Sequence, residues 1–335
     1  MERNNLVELE IILKDMISRP SSRRTFLAAV PLLLSACQSA PQTRYREGSN
    51  EGQDIALTPA DEKKMTAEVL PQMKKDYPAI QNPELQSYLS NLGHKITRAN
   101  NLEDHPYNYS FTLVSAGFVN AFALPAGTVF VTAPLVAMAE TEAELAGVVG
   151  HEIGHVQARH SAERMEAAQK AQSKSWLYAV GGGLLGAAAG YGVGKLLCAK
   201  NDNACLRKAA ELGGAAGVGG GLLVQKYAFM ANSREDEMEA DRVGFKTSVA
   251  AGYNPQYVGQ FYNKLQKMEE NSKGGGGGML SKLSDAMSTH PPSKERVQQM
   301  NQMVAQAPVK GETSSTAFDR VRKLCAQIPP PEKKG

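Results

Sequence analysis

Apolar positions recur at helical spacing in several parts of the chain. They begin after Thr58-Pro59 and return over Leu85–Thr97, so both stretches are predicted helices. A more polar helix is predicted around Ser233–Ala250, because Gly252 follows it as a stop signal. The next predicted helix runs from Pro255 to about Met268, with large apolar residues on one face.

Between the first two helices and the later ones, the pattern changes to that of strands. Tyr107–Val114 alternates at every second residue, and two β-rich runs follow at Val119–Leu124 and Thr128–Thr132. The turn sequence Pro125-Ala126-Gly127 separates these two runs, which predicts a β-hairpin. Helices and a few strands in this order indicate an α+β protein that is mainly helical.

One predicted helix begins after the strands with a clear start signal. Thr141 and Glu144 have the spacing of a capping box, in which the two side chains bond each other's backbone N–H groups. Behind this start the apolar residues fall on one helical face. They are Leu145, Val148, Val149 and Val156.

The same helix carries His151-Glu152-Ile153-Gly154-His155, an HExxH sequence. Residues four apart share one helical face, so both imidazoles can bind one metal ion. The carboxylate of Glu152 is then close to the position that a catalytic zinc leaves open, where it can activate the attacking water. Two surface histidines on an amphipathic helix are the alternative, but the cap and the apolar neighbours argue against it.

A catalytic zinc needs a third protein ligand. Glu237 and Asp241 lie four residues apart downstream and share a helical face. Glu237 is the predicted ligand, and Asp241 is predicted to accept a hydrogen bond from the far nitrogen of a ligand histidine. Glu239 points to a different face and is the reserve ligand. On its own this acidic stretch is typical of a solvated surface; the need of HExxH for a partner favours the ligand interpretation.

Four stretches, in this order along the chain, resemble a family of zinc peptidases. The family includes prenyl-protein proteases, HtpX-type proteases and the periplasmic BepA- and LoiP-type proteases (peptidase family M48). The resemblance spans about residues 57–305. The stretches are Asn120-Ala121-Phe122-Ala123-Leu124-Pro125, the residues from Glu144 to His155, Glu237-x-Glu239-Ala240-Asp241-x-x-Gly244, and Thr289-His290-Pro291-Pro292-Ser293-x-x-Arg296.

The resemblance implies a zincin-like metallopeptidase with a small sheet beside the HExxH helix. It implies one zinc ion per chain, with Glu152 as the base, Asp241 hydrogen-bonded behind a ligand, and the ligands His151, His155 and Glu237. Two departures stand out. Ala126 occupies a turn position where the family usually has glycine, and a glycine-rich stretch replaces the transmembrane helices of two branches, which favours the lipoprotein branch.

Further residues of these stretches have predicted roles. His290 is expected to approach the zinc, either to stabilise the transition state or to close the open position as a fourth ligand; a local helix cap is the alternative. Arg296 is expected to pair with a carboxylate or with the tetrahedral intermediate, the alternative being a surface ion pair. The strand with Asn120 and Phe122 is the predicted edge to which an extended peptide adds. Asn120 either aligns that peptide or is a turn residue.

The N-terminus is predicted to be an export signal, residues 1–36. Ser22-Arg23-Arg24 precedes a short apolar run and is similar to a twin-arginine signal. The run ends in Leu34-Ser35-Ala36-Cys37, which resembles a bacterial lipobox with Cys37 as the lipid-modified residue. A chance apolar stretch is the alternative. Gln38 resembles the second residue of lipoproteins sent to the outer membrane, so the predicted location is the periplasmic side of that membrane.

The remaining organisation follows from composition. A lipidated tether, the zinc peptidase domain and a flexible C-terminal tail are predicted over residues 37–56, 57–305 and 306–335. Inside the domain, glycines at every fourth residue over about 176–225 predict a helical hairpin, with a flexible flap as the alternative. Cys198 and Cys205 lie between its arms. Their pairing, that of Cys325, and any contact of the hairpin with a membrane stay open.

Charge and hydropathy exclude some partners. The 37 basic and 34 acidic residues give a net charge of +3, and the single Trp provides no platform for stacking bases. Nucleic acid is therefore not an expected partner. A hydrophobic fraction of 42% is also too low for a protein with many membrane spans.

These features predict a zinc-dependent endopeptidase, anchored to a membrane by lipid. The expected substrates are unfolded or misassembled cell-envelope proteins. This expectation is based only on the predicted location and the family resemblance. Two other functions stay open. One is a zinc-holding chaperone or assembly factor with latent proteolysis, closed by His290, and the other is a membrane-inserting structural protein built on the glycine hairpin. The oligomeric state is not predicted.

Overall fold

The computed structural model describes residues 47–48, 50, 53, 55–103, 106–166, 232–272, 286, 289–291 and 293–331. These residues form a helical body around a small sheet, which confirms the predicted α+β class. The strands are β1 Ser110–Val114, β2 Ala121–Leu124 and β3 Thr128–Thr132. The helices are α1 Pro59–Asp76, α2 Pro83–Ala99, α3 Ala133–Met138, α4 Glu142–Gln157, α5 Arg234–Ala250, α6 Pro255–Val258, α7 Gln260–Ser272, α8 Lys294–Gln306 and α9 Thr316–Ala326.

The three strands form one mixed sheet in the order β1-β3-β2. The predicted hairpin is correct: β2 pairs antiparallel with β3, with Phe122 opposite Phe130. The parallel partner of β3 is β1, with Ser110 opposite Thr128. Because β2 lies at the end of this order, it is an outer strand among the described residues.

The hairpin turn contains a backbone conformation that L-residues rarely adopt. Ala126 has a φ of 65° and ψ of 19°, in the left-handed region. Gly127 follows with a φ of 93°. A side chain at φ near +60° costs about 1 kcal/mol relative to glycine. Ala126, at a position where the family usually has glycine, is therefore a strained residue in this turn.

Helix α4 is the central helix of the body. Thr141 accepts a hydrogen bond from the backbone N–H of Glu144 at 3.1 Å, as the capping signal predicts. The Glu144 carboxylate, however, accepts from the N–H of Glu140 at 2.7 Å, one residue before the cap. Every residue from Glu142 to Val156 is buried, whereas the sequence predicts a single apolar face. The polar faces are buried because other helices carry polar partners for them.

Glycines let α4 and α5 touch backbone to backbone. A Cβ added to Gly244 of α5 would lie 2.5 Å from the backbone nitrogen of His151. A Cβ added to Gly150 of α4 would lie 2.7 Å from the carbonyl oxygen of Gly244. Real Cβ atoms do not approach other atoms this closely, so the spacing of the two helices depends on these two residues.

The predicted helix from Pro255 to Met268 is interrupted. Helix α6 ends at Val258 and α7 begins at Gln260, with Gly259 between them. A Cβ at Gly259 would lie 2.3 Å from Cγ of Met300. The break lets α8 pack closely against this point.

The C-terminal region differs from the flexible tail expected over 306–335. Residues 316–326 form α9, which begins at the N-cap Ser315. Phe318, Val321 and Cys325 are buried in the main core with the side chains of α2 and α3. The expectation is based on the polar and proline-rich composition of the last residues. That composition does not exclude a short amphipathic helix, and the three buried residues of α9 are each about one helical turn apart.

Several predicted features lie outside the described residues. They are the signal peptide, the lipidated Cys37, most of the tether, the glycine-rich hairpin at about 176–225, and the residues Cys198 and Cys205. Among the described residues, none of the helices has the length and apolar character needed to cross a membrane.

Candidate metal centre

Four side chains from three parts of the chain converge on one point. The ligand atoms of His151, His155, Glu237 and His290 all lie within 4.8 Å of one another. Nε2 of His155 is 3.0 Å from Nε2 of His151 and 3.2 Å from Oε1 of Glu237. The three predicted ligands are thus brought together, as their spacing indicates.

Each element has a local reason to present its side chain here. His151 and His155 are one turn apart on α4 and face the same way. The N-cap of helix α5 is Ser233, whose side chain accepts from the N–H of Asp236 and whose own N–H donates to the Asp236 carboxylate. This capping box fixes where α5 begins and so sets Glu237 in its first turn, beside α4.

Asp241 lies behind His151. Its Oδ1 is 2.9 Å from Nδ1 of His151, so the far nitrogen of this imidazole faces a carboxylate. Burial lowers the pKa of His151, but the attraction of Glu237 and the hydrogen bond to Asp241 outweigh it and raise that pKa to about 9. The carboxylates therefore increase the basicity of this imidazole.

Arg296 binds two carboxylates of α5, those of Asp241 and Glu237. Its Nε and Nη2 donate to the two oxygens of Asp241, each at 2.7 Å. Its Nη1 lies 2.7 Å from Oε2 of Glu237 and also donates to the carbonyl oxygen of Pro291 at 3.0 Å. The side chain is 2% exposed, so the surface ion pair considered for Arg296 is wrong and its carboxylate partners are these two.

The contacts of Arg296 set the charge of the site. Burial alone would raise the pKa of Glu237, yet Arg296, His290 and His151 hold it well below its usual range. The pKa of Asp241 is lowered in the same way, since burial opposes the charge and Arg296 outweighs burial. Both carboxylates are therefore anionic at neutral pH. Burial, with the neighbouring His151, lowers the pKa of His155 well below its usual value, so this imidazole is neutral.

His290 occupies the open side of the cluster. Its Nδ1 is 3.1 Å from Oε1 of Glu237 and 3.2 Å from Nε2 of His151. Its Nε2 is 3.5 Å from Oε1 of Glu152. The side chain is 13% exposed, against 4% for His151 and 3% for Glu152, so it covers them from outside. The structure thus brings His290 and Glu152 to the same side of the donor group.

Two polar residues of the site have no prediction from the sequence. Asn232, just before the cap of α5, donates from Nδ2 to Oε1 of Glu237 at 2.6 Å and to the carbonyl oxygen of Thr289 at 3.2 Å. His160 lies behind His155, with their Nδ1 atoms 2.8 Å apart. Asn232 carries no spacing signal, whereas the position of His160, five residues after His155, is a signal in the sequence.

The predicted substrate strand turns the side chains of Asn120 and Phe122 into the interior of the protein. The Phe122 side chain is 1% exposed and packs against Phe130, with ring centroids 5.1 Å apart. Asn120 is equally buried, and its N–H and carbonyl oxygen bond Thr132. Because the side chains of Asn120 and Phe122 are buried, these two residues present their backbone to a substrate rather than their side chains.

The donors fit a divalent metal ion. Two imidazoles and a carboxylate are a zinc ligand set, with His290 at the position left for a fourth ligand. The far nitrogens of both α4 histidines also have partners that fix their orientation. Residues His151, His155 and Glu237 could therefore hold such an ion.

Comparison with known proteins agrees with this geometry. The chain is 30% identical to the beta-barrel assembly-enhancing protease of Yersinia pestis over 220 residues, 66% of this chain and 39% of that protein. It is 25% identical to the Escherichia coli K12 protein of the same name over 301 residues, 88% of this chain and 54% of the other. Metalloprotease LoiP of Escherichia coli K12 is 26% identical over 284 residues, 84% of this chain and 96% of LoiP.

The chain thus spans about half, or less, of the length of the two assembly-enhancing proteases. The model of Peptidase family M48 matches residues 82–304, which include α4, α5 and the segment with His290. This match covers more than half of the chain and every predicted ligand, and by it the chain belongs to peptidase family M48.

Proposed function

We propose that this protein is a zinc-dependent endopeptidase. His151, His155 and Glu237 hold the ion, and Glu152 is the general base. The observation that carries the proposal is the convergence of these donors within 4.8 Å, with Glu152 beside them, in a member of a peptidase family.

A bound zinc ion supplies Lewis acidity, which lowers the pKa of water toward neutrality and polarises a carbonyl group. The residues of the chain transfer the protons and keep the metal ligands oriented. Glu152 sits next to His151 on α4, with its carboxylate 3.5 Å from Nε2 of His290 at the open side. From there it takes the proton of the attacking water and passes it to the leaving amine. Arg296 and Asp241 keep Glu237 and His151 oriented during these steps.

The substrate binds along the outer edge of β2, with which no strand of the described residues pairs. The N–H of Thr132 donates to the carbonyl oxygen of Asn120 at 3.0 Å, which makes these two residues a hydrogen-bonded pair. Since such pairs alternate along antiparallel strands, the backbone groups of Ala121 and Ala123 point away from β3. A peptide in extended conformation adds there as a further strand, and Ala123 and Leu124 line a small cavity together with His155.

The proposed cellular role is based on the predicted export and lipidation signals and on the names of the relatives. Cys37 carries the lipid anchor at the periplasmic side of the outer membrane, after export through residues 1–36. Two relatives are named for enhancing β-barrel assembly, which supports a role on proteins of the cell envelope. The substrates are unfolded or misassembled proteins of that compartment.

A second function is favoured by one observation, the contact of His290 with Glu237 and Glu152. A histidine at this point blocks the position where water and substrate must enter. The protein would then hold zinc and act as a chaperone or assembly factor whose proteolysis is latent.

The test is cleavage of unfolded casein by the lipid-free protein that begins at Gln38, compared with Glu152→Gln. The wild type is expected to cleave casein, and Glu152→Gln is expected to bind one zinc ion per chain without cleaving. Equal cleavage by both proteins would contradict the role of Glu152. No cleavage by either, with zinc bound by both, favours the latent assembly factor.

A further inference from the structure

The two nitrogens of His155 face in opposite directions. Nε2 points to the donor group, 3.2 Å from Oε1 of Glu237. Nδ1 points away from it and lies 2.8 Å from Nδ1 of His160. His160 is fully buried, so water does not compete for this contact.

The protons between these two rings can be assigned in one way. If Nε2 of His155 offers its lone pair to a metal ion, a neutral imidazole must carry its hydrogen on Nδ1. His155 therefore donates to Nδ1 of His160, and His160 must carry its own hydrogen on Nε2. That nitrogen lies 3.3 Å from Oε2 of Glu239, which accepts the hydrogen.

Glu239 closes the chain of hydrogen bonds inside the protein. Its side chain is 2% exposed, and its Oε1 accepts from the backbone N–H of Gly48 at 3.0 Å. A second carboxylate, that of Asp236, is 3.8 Å from Nε2 of His160. The imidazole of His160 is thus held at both nitrogens, by His155 on one side and by acidic residues on the other.

A local break in the helix puts His160 in this place. Helix α4 ends at Gln157, and Arg159 has a φ of 57°, in the left-handed region. Residues 160–166 are helical again. The turn at Arg159 brings His160 back against the last turn of α4, and the guanidinium of Arg159 holds the turn by pairing with Glu62.

We propose that His160 and Glu239 are positioning residues for the metal ligand His155. The inference rests on the proposed function and extends it. Asp241 orients His151 by a direct carboxylate contact, whereas Glu239 orients His155 through a second imidazole. Both ligand histidines of α4 then have a fixed tautomer and a fixed ring direction. Glu239 is the hydrogen-bond acceptor for His160 rather than a metal ligand.

The first experiment measures zinc affinity by chelator competition in the wild type, His160→Leu and His160→Gln. Loss of such an outer partner lowers metal affinity by roughly 10–100-fold, which is the result expected for His160→Leu. Glutamine can accept from His155 through its oxygen and donate to Glu239 through its nitrogen, so His160→Gln is expected to recover most of the loss. The control is His94→Leu, because His94 pairs with Glu103 at 3.0 Å in the same manner. That variant is expected to stay within about twofold of the wild type, since its metal site is intact.

The second measurement is the visible spectrum of the cobalt-substituted proteins. A change in the ring direction of His155 alters the cobalt bands, whereas a general loss of stability does not. The expected result is altered bands in His160→Leu and bands close to the wild type in His160→Gln and His94→Leu. If His160→Leu does not fold, Glu239→Leu takes its place, with weaker zinc binding and altered bands expected, because leucine has no acceptor for the N–H of His160.

The outcomes separate this inference from the proposed function. A wild type that binds no zinc contradicts the proposed function itself. A wild type that binds zinc, with affinity and cobalt bands unchanged in folded His160→Leu or Glu239→Leu, overturns the positioning role and leaves the proposed function standing.

Discussion

The α-carbon of Gly244 faces the backbone of His151 so closely that a Cβ there would lie 2.5 Å from the His151 nitrogen. The separation of α4 and α5, and with it the distance from Glu237 to the two histidines, is therefore set by backbone contact. A side chain at this point must push the helices apart, because the atom it meets belongs to a buried helix and not to a movable side chain.

We predict that Gly244→Ala loses both stability and metal binding. Overpacking a core typically costs about 1–3 kcal/mol, and a clash with backbone belongs at the upper end. Urea denaturation measures the free energy of unfolding, and zinc content after gel filtration measures the site.

Gly117→Ala is the matched control, since the nearest atom to its added Cβ is Cβ of Pro330 at 3.7 Å. It is expected to leave zinc content unchanged. A Gly244→Ala protein that keeps full zinc content and stability would show that the helices are free to separate.

His290→Ala is predicted to raise proteolysis. A hydrogen bond to a charged group contributes about 1.5–3 kcal/mol. Without the contact between His290 and Glu237, opening the site no longer costs this free energy, so kcat/KM is expected to rise roughly 10–100-fold. Casein cleavage and zinc content are measured side by side, with His94→Ala as control. A fall in cleavage at full zinc content would instead give His290 a direct part in the reaction.

Arg296→Met is predicted to destabilise the fold by roughly 3–5 kcal/mol, because it leaves the buried carboxylates of Glu237 and Asp241 without their cation. Arg296→Lys is expected to recover only part of the lost stability. A guanidinium donates in one plane to both oxygens of Asp241, and a lysine ammonium does not reproduce this bidentate contact. The measurement is urea denaturation with a chelator present.

The control for this series is Arg320→Met. Arg320 pairs with Glu84 at 2.7 Å but is 70% exposed. Its loss is expected to change stability by less than about 1 kcal/mol. Similar losses for the two methionine variants would mean that burial does not distinguish the pairs.

Acid is predicted to weaken the metal-free protein through Asp241. Because Arg296 holds the pKa of Asp241 below that of the unfolded chain, the stabilisation is complete above about pH 4. It is lost as the pH falls through the lower pKa of the folded state. Melting temperatures between about pH 3 and 6, with chelator present, should therefore fall more steeply for the wild type than for Asp241→Asn. Parallel curves would contradict a lowered pKa at this residue.

Ala126→Gly is predicted to stabilise the protein by about 0.5–1 kcal/mol, because glycine adopts a φ of 65° without strain. Ala123→Gly, in the neighbouring strand, serves as the opposite case and should destabilise by a similar amount. Thermal melting of the two variants decides the matter, and a destabilised Ala126→Gly would mean that its buried methyl group outweighs the backbone strain.

Spacing in the sequence was sufficient for the parts of the site that lie on one element. His151 and His155 share a face of α4, and Glu237 and Asp241 share one of α5, as the i, i+4 rule predicts. The hairpin was also predictable, because its turn residues lie next to each other in the chain.

Relations between distant residues were not accessible in this way. The contacts of Arg296 with two carboxylates depend on how α8 docks on α5, and the role of Glu239 depends on His160, which a left-handed Arg159 turns back. The burial of α9 follows from three apolar residues whose docking partners are more than 150 positions away. Local pattern contains no information about such docking.

The outer position of β2 also has a consequence for selectivity. A substrate that pairs with Ala121 and Ala123 must offer a run of N–H and C=O groups that are not already engaged. Native proteins have almost all of theirs occupied in their own helices and sheets. The enzyme proposed here therefore selects substrates by their folding state. A protein is protected from cleavage once it has folded, whatever its amino-acid sequence.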